Sequence, residues 1–494
     1  MSLRARGIGA KSMARRHWLA SVWALVALAL VVRLFGLTSR DLSYDEQVTL
    51  VDSQSVRSPS PGVSRETFVS SALRDIDAGL FSVARQSATH DQPVYVSLIY
   101  LWLSLVGASE VTLRLPSALF GAASVGLVAV VGRTLVGEYV ALLAGLLLSV
   151  SPVHVLYSQQ GRVYAMAGFL ALLAMALLLR LSDKSPARSW IAYGAAAAST
   201  PLVHILAAVA LFPHVVVLWR LRRQRRQLAL AAMGALIVLG ASLPLGWMES
   251  VRTAHEQSGV ALASPPADAR NWARPATVET VVAGLGSSMT RVLGLDYFPF
   301  EWRARYLLPL SAALLLIGLS AGWSRPQPER TLLLASALLP HLAAVALSIH
   351  YGHVVPLQAS YSAWTMPFWM LLLADGASQL RGPRVARSAF ALIFTLLAGF
   401  LVGGRWVGSP RVEVRSSEIR SFMACAPGEV LHVSGAWEAA VVTALAPRES
   451  NLRLKVATSG EAARMAFLAG ASGICRNIDA GACETQFPVC ATED

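Results

Sequence analysis

The chain has 494 residues, of which 55% are hydrophobic and only 14% are charged, although the formal net charge is +13. Soluble domains carry about 25% charged residues, so this composition excludes an ordinary soluble protein. The positive charge does not indicate a nucleic-acid partner, because the basic residues lie in short tracts between apolar runs, where they orient a membrane protein.

Apolar runs recur along the chain, and a membrane-crossing helix needs about 20 such residues. They predict an all-α polytopic membrane protein with about eleven transmembrane helices. The runs lie near residues 18–37, 115–133, 139–157, 164–181, 190–203, 204–219, 228–247, 305–323, 331–349, 363–380 and 388–404. A basic stretch without a small-residue cleavage site precedes the first run, so we expect an uncleaved anchor.

The strongly basic connectors all fall on one side of this topology. With a cytoplasmic N-terminus, "RLSDKSPARS", "RLRRQRR", "WSRPQPER" and "RGPRVAR" share the inner side, as the positive-inside rule requires. The loop 38–114 and the tail 405–494 then lie outside. The sequence therefore predicts a multi-pass protein of the bacterial inner (plasma) membrane with a periplasmic C-terminus.

The first outside loop, 38–114, is predicted to contain interfacial helices. In "FVSSALRDIDAGLFSVAR", apolar residues from Val69 to Val83 recur at three- and four-residue steps, which predicts an amphipathic helix at the membrane surface. The apolar run 94–107 is too short to cross a bilayer comfortably. It indicates an interfacial or re-entrant helix.

The tail mixes short apolar runs with Gly, Pro and charges, which predicts a small α/β periplasmic domain. It holds all four cysteines, Cys425, Cys475, Cys483 and Cys490. An even number in one polar segment favours disulfides in an oxidising compartment over unrelated free thiols, with the pairing left open. We divide the chain into a membrane domain, 1–404, and a tail domain, 405–494.

Four polar clusters fall on the predicted outer face. They are the doublet Asp45-Glu46; His90, Asp91, Gln92 and Tyr95 in "THDQPVYV"; Arg114 in "RLPSALFG"; and Gln160, Arg162 and Tyr164 in "YSQQGRVY". A carboxylate can accept a proton from a nucleophile, and guanidinium groups bind phosphate oxygens in a bidentate fork. Together they indicate a reaction between an acceptor and a phosphate-bearing lipid.

In this order the clusters resemble those of the GT-C membrane glycosyltransferases, in particular the bacterial family 39-like and aminoarabinose-transferase-like relatives of protein O-mannosyltransferases. The motifs cover about residues 18–220, and the later spans resemble the family by hydropathy alone. The resemblance implies a GT-C fold with a periplasmic active site. It also implies inverting transfer of a hexose or pentose from a polyprenyl-phosphate donor to a lipid, glycan or protein acceptor, among membrane lipids. It implies no cofactor, because a monophosphate held by arginines does not require a metal, and a divalent cation is not expected.

The carboxylate doublet facing two arginine-bearing mouths suggests roles for individual residues. Asp45 is the expected base, with Glu46 orienting Asp45 or the acceptor and Asp91 assisting. The expected donor and phosphate contacts are Arg114, Gln160, Arg162, Tyr164 and Tyr361, and the further candidates are His90, Gln92 and Tyr95.

Two departures from the family pattern bear on these roles. Gln160 stands where relatives carry Glu, and Ser360 precedes Tyr361 where relatives often carry Arg, so Arg303 or Arg305 would have to supply that charge. A lipid-linked sugar transporter or flippase and a catalytically idle, lipid-binding GT-C-like protein therefore remain alternatives. Two structural alternatives also remain open. In one, Arg114 is a snorkelling interfacial arginine; in the other, Arg162 is the structural partner of a loop carboxylate.

Overall fold

The computed structural model of the protein describes only part of the chain. The described residues are 15–38, 42–56, 67–69, 75, 78–88, 92–182, 184–221, 225–249, 251–253, 275–292, 316, 328–354, 357, 363–380, 383–406, 430–433, 436–445, 453–456, 474–477 and 489–490. Most of them are helical, which confirms the predicted helical membrane architecture in its coarse form.

The described part of the chain before the tail is built mainly of helices. In chain order they are α1 (Arg15–Leu34), α2 (Tyr44–Ser53), α3 (Leu80–Ser87), α4 (Pro93–Val106), α5 (Glu110–Leu135), α6 (Glu138–Val150), α7 (Pro152–Ser158), α8 (Tyr164–Leu178), α9 (Ala187–Val203), α10 (Phe212–Arg220), α11 (Arg225–Ser242), α12 (Val278–Val292), α13 (Pro328–Tyr351), α14 (Met366–Gln379) and α15 (Pro383–Trp406). Short 3-10 helices at Ile205–Leu211, Leu243–Leu245 and Ala363–Thr365 join some of them.

Within the described ranges, the predicted apolar runs are helical. Four of the described helices are long and apolar enough to cross a bilayer: Arg15–Leu34, Glu110–Leu135, Arg225–Leu245 and Thr331–Tyr351. The bent pair α6 and α7 would make five. The predicted count of eleven spans is not confirmed, and the run 305–323 lies outside the described residues except for residue 316.

The predicted run 139–157 is broken. Helix α6 ends at Val150, α7 begins at Pro152, and the two axes bend by 62°. Proline has no backbone N–H and its ring clashes with the preceding turn, so a helix cannot continue straight through this residue. The break places the segment after α7 beside the end of α1.

The first outside loop differs from the prediction at its start. Thr67–Val69 form a strand, β1, where the helical pattern of the sequence predicts a surface helix. Helix α3 begins at Leu80, after the extended Gly79, and buries Val83 and Ala84 while Phe81 is exposed. The amphipathic prediction is therefore confirmed for residues 80–87, and residues 70–74, 76 and 77 of the predicted helix lie outside the described residues. Helix α4, of 14 residues, matches the short apolar helix predicted there.

The strand β1 joins a sheet made by the tail. The tail strands are β2 (Val430–Val433), β3 (Arg453–Val456), β4 (Ile474–Asn477) and β5 (Val489–Cys490), with helix α16 (Ala436–Leu445) between β2 and β3. The order across the sheet is β1-β3-β2-β4-β5, with β1 antiparallel to β3 and β2 parallel to β3. The predicted α/β character of the tail is thus observed, together with a strand from the first loop that the sequence did not indicate.

The tail also contacts the helix that carries the acidic doublet. Helix α16 packs against α2, and its buried Val441 and Val442 belong to the same hydrophobic cluster as Leu50 and Val51 of α2. Through β1 and this cluster, the tail and the first outside loop form one folded unit. The proposed boundary at residue 405 remains a prediction.

Helices α9 and α11 approach each other at small residues. A methyl group on Gly194 would collide with the backbone of Ala231, and one on Gly234 with the backbone of Ile191. Glycine therefore allows this close helix contact, as small residues do between membrane helices. The contact holds α9, whose end at Val203 brings His204 beside Tyr164.

We predict that Gly194→Ala destabilises the protein by about 1–3 kcal/mol, because overpacking forces the two backbones apart. Thermal unfolding in detergent measures the effect. Gly240→Ala is the matched control, because no atom lies within 4 Å of the added methyl group. It should stabilise α11 by about 0.5–1 kcal/mol through helix propensity. Equal transition temperatures for the two variants would contradict close packing at Gly194.

Candidate functional site

The acidic doublet lies in the first turn of α2. Ser43 is the N-cap: its hydroxyl accepts a hydrogen bond from the Glu46 N–H, and the Glu46 side chain accepts one from the Ser43 N–H. This reciprocal capping box is the expected outcome of Ser followed three residues later by Glu. Carboxylates are also favoured at the positive end of the helix dipole. The sequence "SYDE" therefore places both acids at a helix start for local reasons.

The Glu46 carboxylate is buried, with 1% of the residue exposed. Arg114 donates to it from two nitrogens, Nε to Oε1 at 2.7 Å and Nη2 to Oε2 at 3.0 Å. The N–H of Gly161 donates to Oε1 at 2.8 Å, and the N–H of Ser43 donates to Oε2 at 3.0 Å. Four N–H donors thus surround one buried carboxylate, which joins the starts of α2 and α5 to the segment after α7.

All three guanidinium nitrogens of Arg114 donate hydrogen bonds. It is 2% exposed, and its third guanidinium nitrogen, Nη1, donates to the Leu37 carbonyl at 2.7 Å. The sequence suggested that this arginine binds phosphate at the mouth of a span. In the structure it pairs with Glu46 and joins the end of α1, the start of α2 and the start of α5. Its predicted role as a phosphate contact stays a prediction.

The segment between α7 and α8 carries the fourth motif and closes on α2. Arg162 Nη1 donates to the Asp45 carbonyl at 2.9 Å and to Thr49 Oγ1 at 2.8 Å. A methyl group on Gly161 would press into the Leu113 side chain, so glycine is needed for this close approach. The segment therefore reaches both members of the doublet, one through a backbone N–H and the other through an arginine.

Two further hydrogen bonds bring in the remaining motif. Ser117 Oγ lies 3.0 Å from the Arg162 carbonyl, to which it donates, and 2.9 Å from the hydroxyl of Tyr95. Tyr95 belongs to "DQPVY" and Ser117 to "RLPS". The structure thus brings residues from all four sequence motifs into one continuous hydrogen-bonded cluster, which we call the motif cluster: Ser43, Asp45, Glu46, Thr49, Tyr95, Arg114, Ser117, Gly161 and Arg162.

Asp45 differs from the rest of the motif cluster because its side chain is exposed. Its carbonyl is held by Arg162, yet the carboxylate faces out of the packed interface. Of the two acids, Asp45 is therefore the one that can meet a ligand. Arg162 is half-buried directly beside it.

An aromatic group borders Arg162. The Tyr164 ring lies 5.1 Å from the Tyr157 ring in an edge-on arrangement and 5.9 Å from the ring of His204. Tyr164 and His204 are buried, and Tyr157 is half-buried. The motif identified Tyr164, whereas no spacing in the sequence connects His204 to it, because the two meet only through the packing of α8 against α9.

The remaining predicted site residues do not belong to the motif cluster. Gln92 is the N-cap of α4 without a side-chain capping bond, and the Gln160 carbonyl accepts the Arg162 N–H at 2.8 Å. His90, Asp91 and Tyr361 lie outside the described residues, as do Ser360, Arg303 and Arg305. Their predicted roles stay predictions. Within the described part of the chain, no three His, Cys, Asp or Glu residues gather closely enough to hold a metal ion.

The sequence alone carries a signal for some further members of the motif cluster. Ser43 follows from the capping-box pattern of "SYDE", and Gly161 from a glycine between two motif residues. Thr49 and Ser117 carried no signal of their own, because their partners belong to segments that are remote in the sequence. The pairing of Glu46 with Arg114 was one of several that the charges allowed.

We predict that Glu46→Gln lowers the free energy of unfolding by about 3–5 kcal/mol, because it leaves the Arg114 guanidinium buried without its counter-charge. Chemical or thermal unfolding in detergent measures this loss. Glu138→Gln is the matched control: Glu138 Oε1 lies 2.6 Å from Arg133 Nη2, but the arginine side chain is 42% exposed. An exposed pair contributes about 0–1 kcal/mol. Similar losses in both variants would show that the Glu46 pair is not the stronger constraint.

Comparison with known proteins supports the fold. The model of the dolichyl-phosphate-mannose-protein mannosyltransferase family matches residues 90–247. The crystal structure of ArnT from Cupriavidus metallidurans bound to undecaprenyl phosphate is similar with a TM-score of 0.53 and 14% identity, over 92% of this chain and 88% of that one. No curated protein sequence matches the chain.

Two further structures give weaker similarity. The apo state of the same ArnT has a TM-score of 0.49 at 13% identity, over 93% of this chain and 92% of that one. The Archaeoglobus fulgidus oligosaccharyltransferase tethered with an acceptor peptide has a TM-score of 0.45 at 13% identity, over 88% of this chain and 60% of that one. The predicted resemblance to the GT-C superfamily of membrane glycosyltransferases is thus confirmed, by the fold along most of the chain and by the family match over residues 90–247.

Proposed function

We propose that the protein transfers a sugar from a polyprenyl-phosphate carrier to an acceptor at the periplasmic face of the bacterial inner membrane. The observation that carries the proposal is an exposed carboxylate, Asp45, fixed on a helix start by a buried ion pair and placed directly beside a half-buried arginine, Arg162. The family match and the shared fold with ArnT, a protein solved with undecaprenyl phosphate, support a lipid-phosphate donor.

The reaction uses this pair in a single displacement with inversion. Asp45 takes the proton of the acceptor hydroxyl or amine. The acceptor atom bonds to the anomeric carbon as the bond from that carbon to the phosphate oxygen breaks, and polyprenyl phosphate departs. Arg162, which contacts the Asp45 backbone carbonyl, stabilises the charge that builds on the leaving phosphate, which is often the largest contribution to such catalysis.

The other motif residues then act by positioning. Glu46 and Arg114 hold the start of α2 against α5, and Gly161 ties the segment of Arg162 to the same carboxylate. This division of roles differs from the sequence expectation, in which both acids and both arginines faced the substrate. Tyr164, with His204 and Tyr157, forms an aromatic border beside Arg162, where a sugar ring or the lipid carrier would pack.

We predict that Asp45→Asn lowers transfer by about 100-fold or more, the usual effect of losing a general base. Because the side chain is exposed, the variant should keep the thermal stability of the wild type. The measurement is release of radiolabelled sugar from undecaprenyl-phosphate hexoses and pentoses in proteoliposomes. Glu279→Gln, an exposed acid in the first turn of α12, is the control and should retain activity. Wild-type turnover by Asp45→Asn would remove Asp45 from the role of base.

The same assay separates the alternatives. A transporter or flippase would move the labelled lipid across the bilayer without cleaving the sugar from its phosphate. An idle lipid-binding protein would bind undecaprenyl phosphate and show neither movement nor cleavage.

We predict that Arg162→Ala raises the donor KM by about tenfold or more, because a charge-assisted contact to phosphate contributes about 1.5–3 kcal/mol. Steady-state kinetics with varied donor lipid measures this change. Arg252→Ala is the control, since Arg252 is an exposed arginine that pairs with Glu249. An unchanged donor KM in Arg162→Ala would leave Arg162 as a structural tie between its segment and α2.

A further inference from the structure

Besides Arg114, a second buried arginine, Arg33, lies in the last turn of α1 and is completely buried. The predicted apolar run 18–37 contains it, and no motif identified it. A charged side chain inside a membrane-spanning segment is rare, because it must find polar partners within the protein. Its partners therefore indicate what it does.

Arg33 meets the break between α6 and α7. Its guanidinium donates to the carbonyls of Leu148 and Ser149, each at 3.4 Å, and also to the Ala29 carbonyl at 2.9 Å. Leu148 and Ser149 belong to the last turn of α6, where the Leu148 carbonyl accepts a 3.4 Å bond from the Ser151 N–H, and Pro152, four residues after Leu148, has no N–H to donate. The guanidinium thus caps the end of α6 at the bend.

Arg33 also holds the beginning of the next helix. Its Nη2 lies 2.6 Å from Nδ1 of the buried His154 in α7. A guanidinium can only donate, so Nδ1 is the acceptor and the imidazole is neutral with its proton on Nε2. One side chain therefore binds both arms of the broken pair and fixes the angle between them.

The bend is linked to the motif cluster by the residues that follow it. Gln159 Nε2, one residue past α7, donates to the carbonyls of Arg33 at 2.8 Å and Phe35 at 3.0 Å. Gly161 and Arg162 come directly afterwards and bind Glu46 and the backbone of Asp45. The position of Arg162 thus depends on where the bend leaves the chain.

Helix α5 presses on the same bend from the other side. A methyl group on Gly121 would collide with the Ser158 side chain and would lie 2.9 Å from Arg33 Nε. Helix α5 therefore packs directly against both the Arg33 guanidinium and the end of α7.

We propose that Arg33 is a positioning residue for this site: by clamping the break between α6 and α7, it sets the placement of Arg162 relative to Asp45. The inference rests on the proposed function for its effect on transfer, but the clamp itself has a readout that needs no substrate.

The test combines hydrogen exchange with kinetics on full-length protein in detergent or proteoliposomes. In Arg33→Leu, the amides of residues 159–162 should exchange at least about tenfold faster, because local opening becomes easier. The kcat for sugar release from undecaprenyl-phosphate hexoses and pentoses should fall by about 100-fold, the effect expected from a displacement on the order of 1 Å. Arg33→Lys keeps the charge and one donor group, so it should recover part of the kcat.

Arg133→Leu is the matched control. Like Arg33, Arg133 contacts both α1 and α6: its guanidinium lies 5.0 Å from the Trp18 ring of α1 and 2.6 Å from Glu138 of α6. Arg133 lies in the last turn of α5, however, whereas the motif cluster lies near the start of that helix. It should leave both exchange at 159–162 and kcat at the wild-type level. If Arg33→Leu does not fold, Gly121→Ala keeps the arginine and strains the clamp from α5, and the same two changes are expected in smaller degree.

The outcomes separate the two proposals. Unchanged exchange at 159–162 in a folded Arg33→Leu protein would overturn the clamp. Faster exchange with unchanged kcat would overturn its positioning role. Faster exchange in a protein whose wild type releases no sugar from any donor tested would support the clamp and contradict the proposed function.

Discussion

The buried pair of Glu46 and Arg114 is the interaction on which the site depends. A buried ion pair is tolerated only when hydrogen bonds satisfy every charged atom, and here Ser43 and Gly161 complete what Arg114 begins. Satisfying one carboxylate requires α1, α2, α5 and the segment after α7 to meet at one point. The neighbouring Asp45 is then held at the surface without using its own side chain, and an acid that stays exposed on a fixed helix start is suited to act on a substrate.

A backbone break and a sheet that includes a strand of the first loop make this meeting possible. Irregular backbone inside a membrane protein must be satisfied by the protein itself, and Arg33 does so at the bend before Pro152. β1 extends the tail sheet and α16 packs against α2, so the loop with the doublet belongs to a folded unit with the tail. The site therefore lies between a helical bundle that positions Arg162 and a tail unit that positions α2.

The sequence predicts the helical architecture in its coarse form, because apolar runs are a local signal, and the four motifs that it groups on one membrane face contact one another in the structure. Prediction from the sequence fails where the interaction partner of a residue lies far away along the chain. Val69 fits a helical repeat, yet its backbone pairs with Arg453 in the tail sheet. Arg114 has the charge to bind phosphate, and only the fold shows that Glu46 takes its guanidinium. Arg33 is hidden within an apolar run, and a bend that local hydropathy does not reveal gives it partners.

The most direct test of this account is a structure of the protein with undecaprenyl phosphate in a lipid nanodisc. The account predicts the phosphate at about 3 Å from the Arg162 guanidinium, with the Asp45 carboxylate facing it and the bidentate contact between Glu46 and Arg114 intact. A phosphate bound to Arg114 in place of Glu46, or bound at the other face of the membrane, would contradict it.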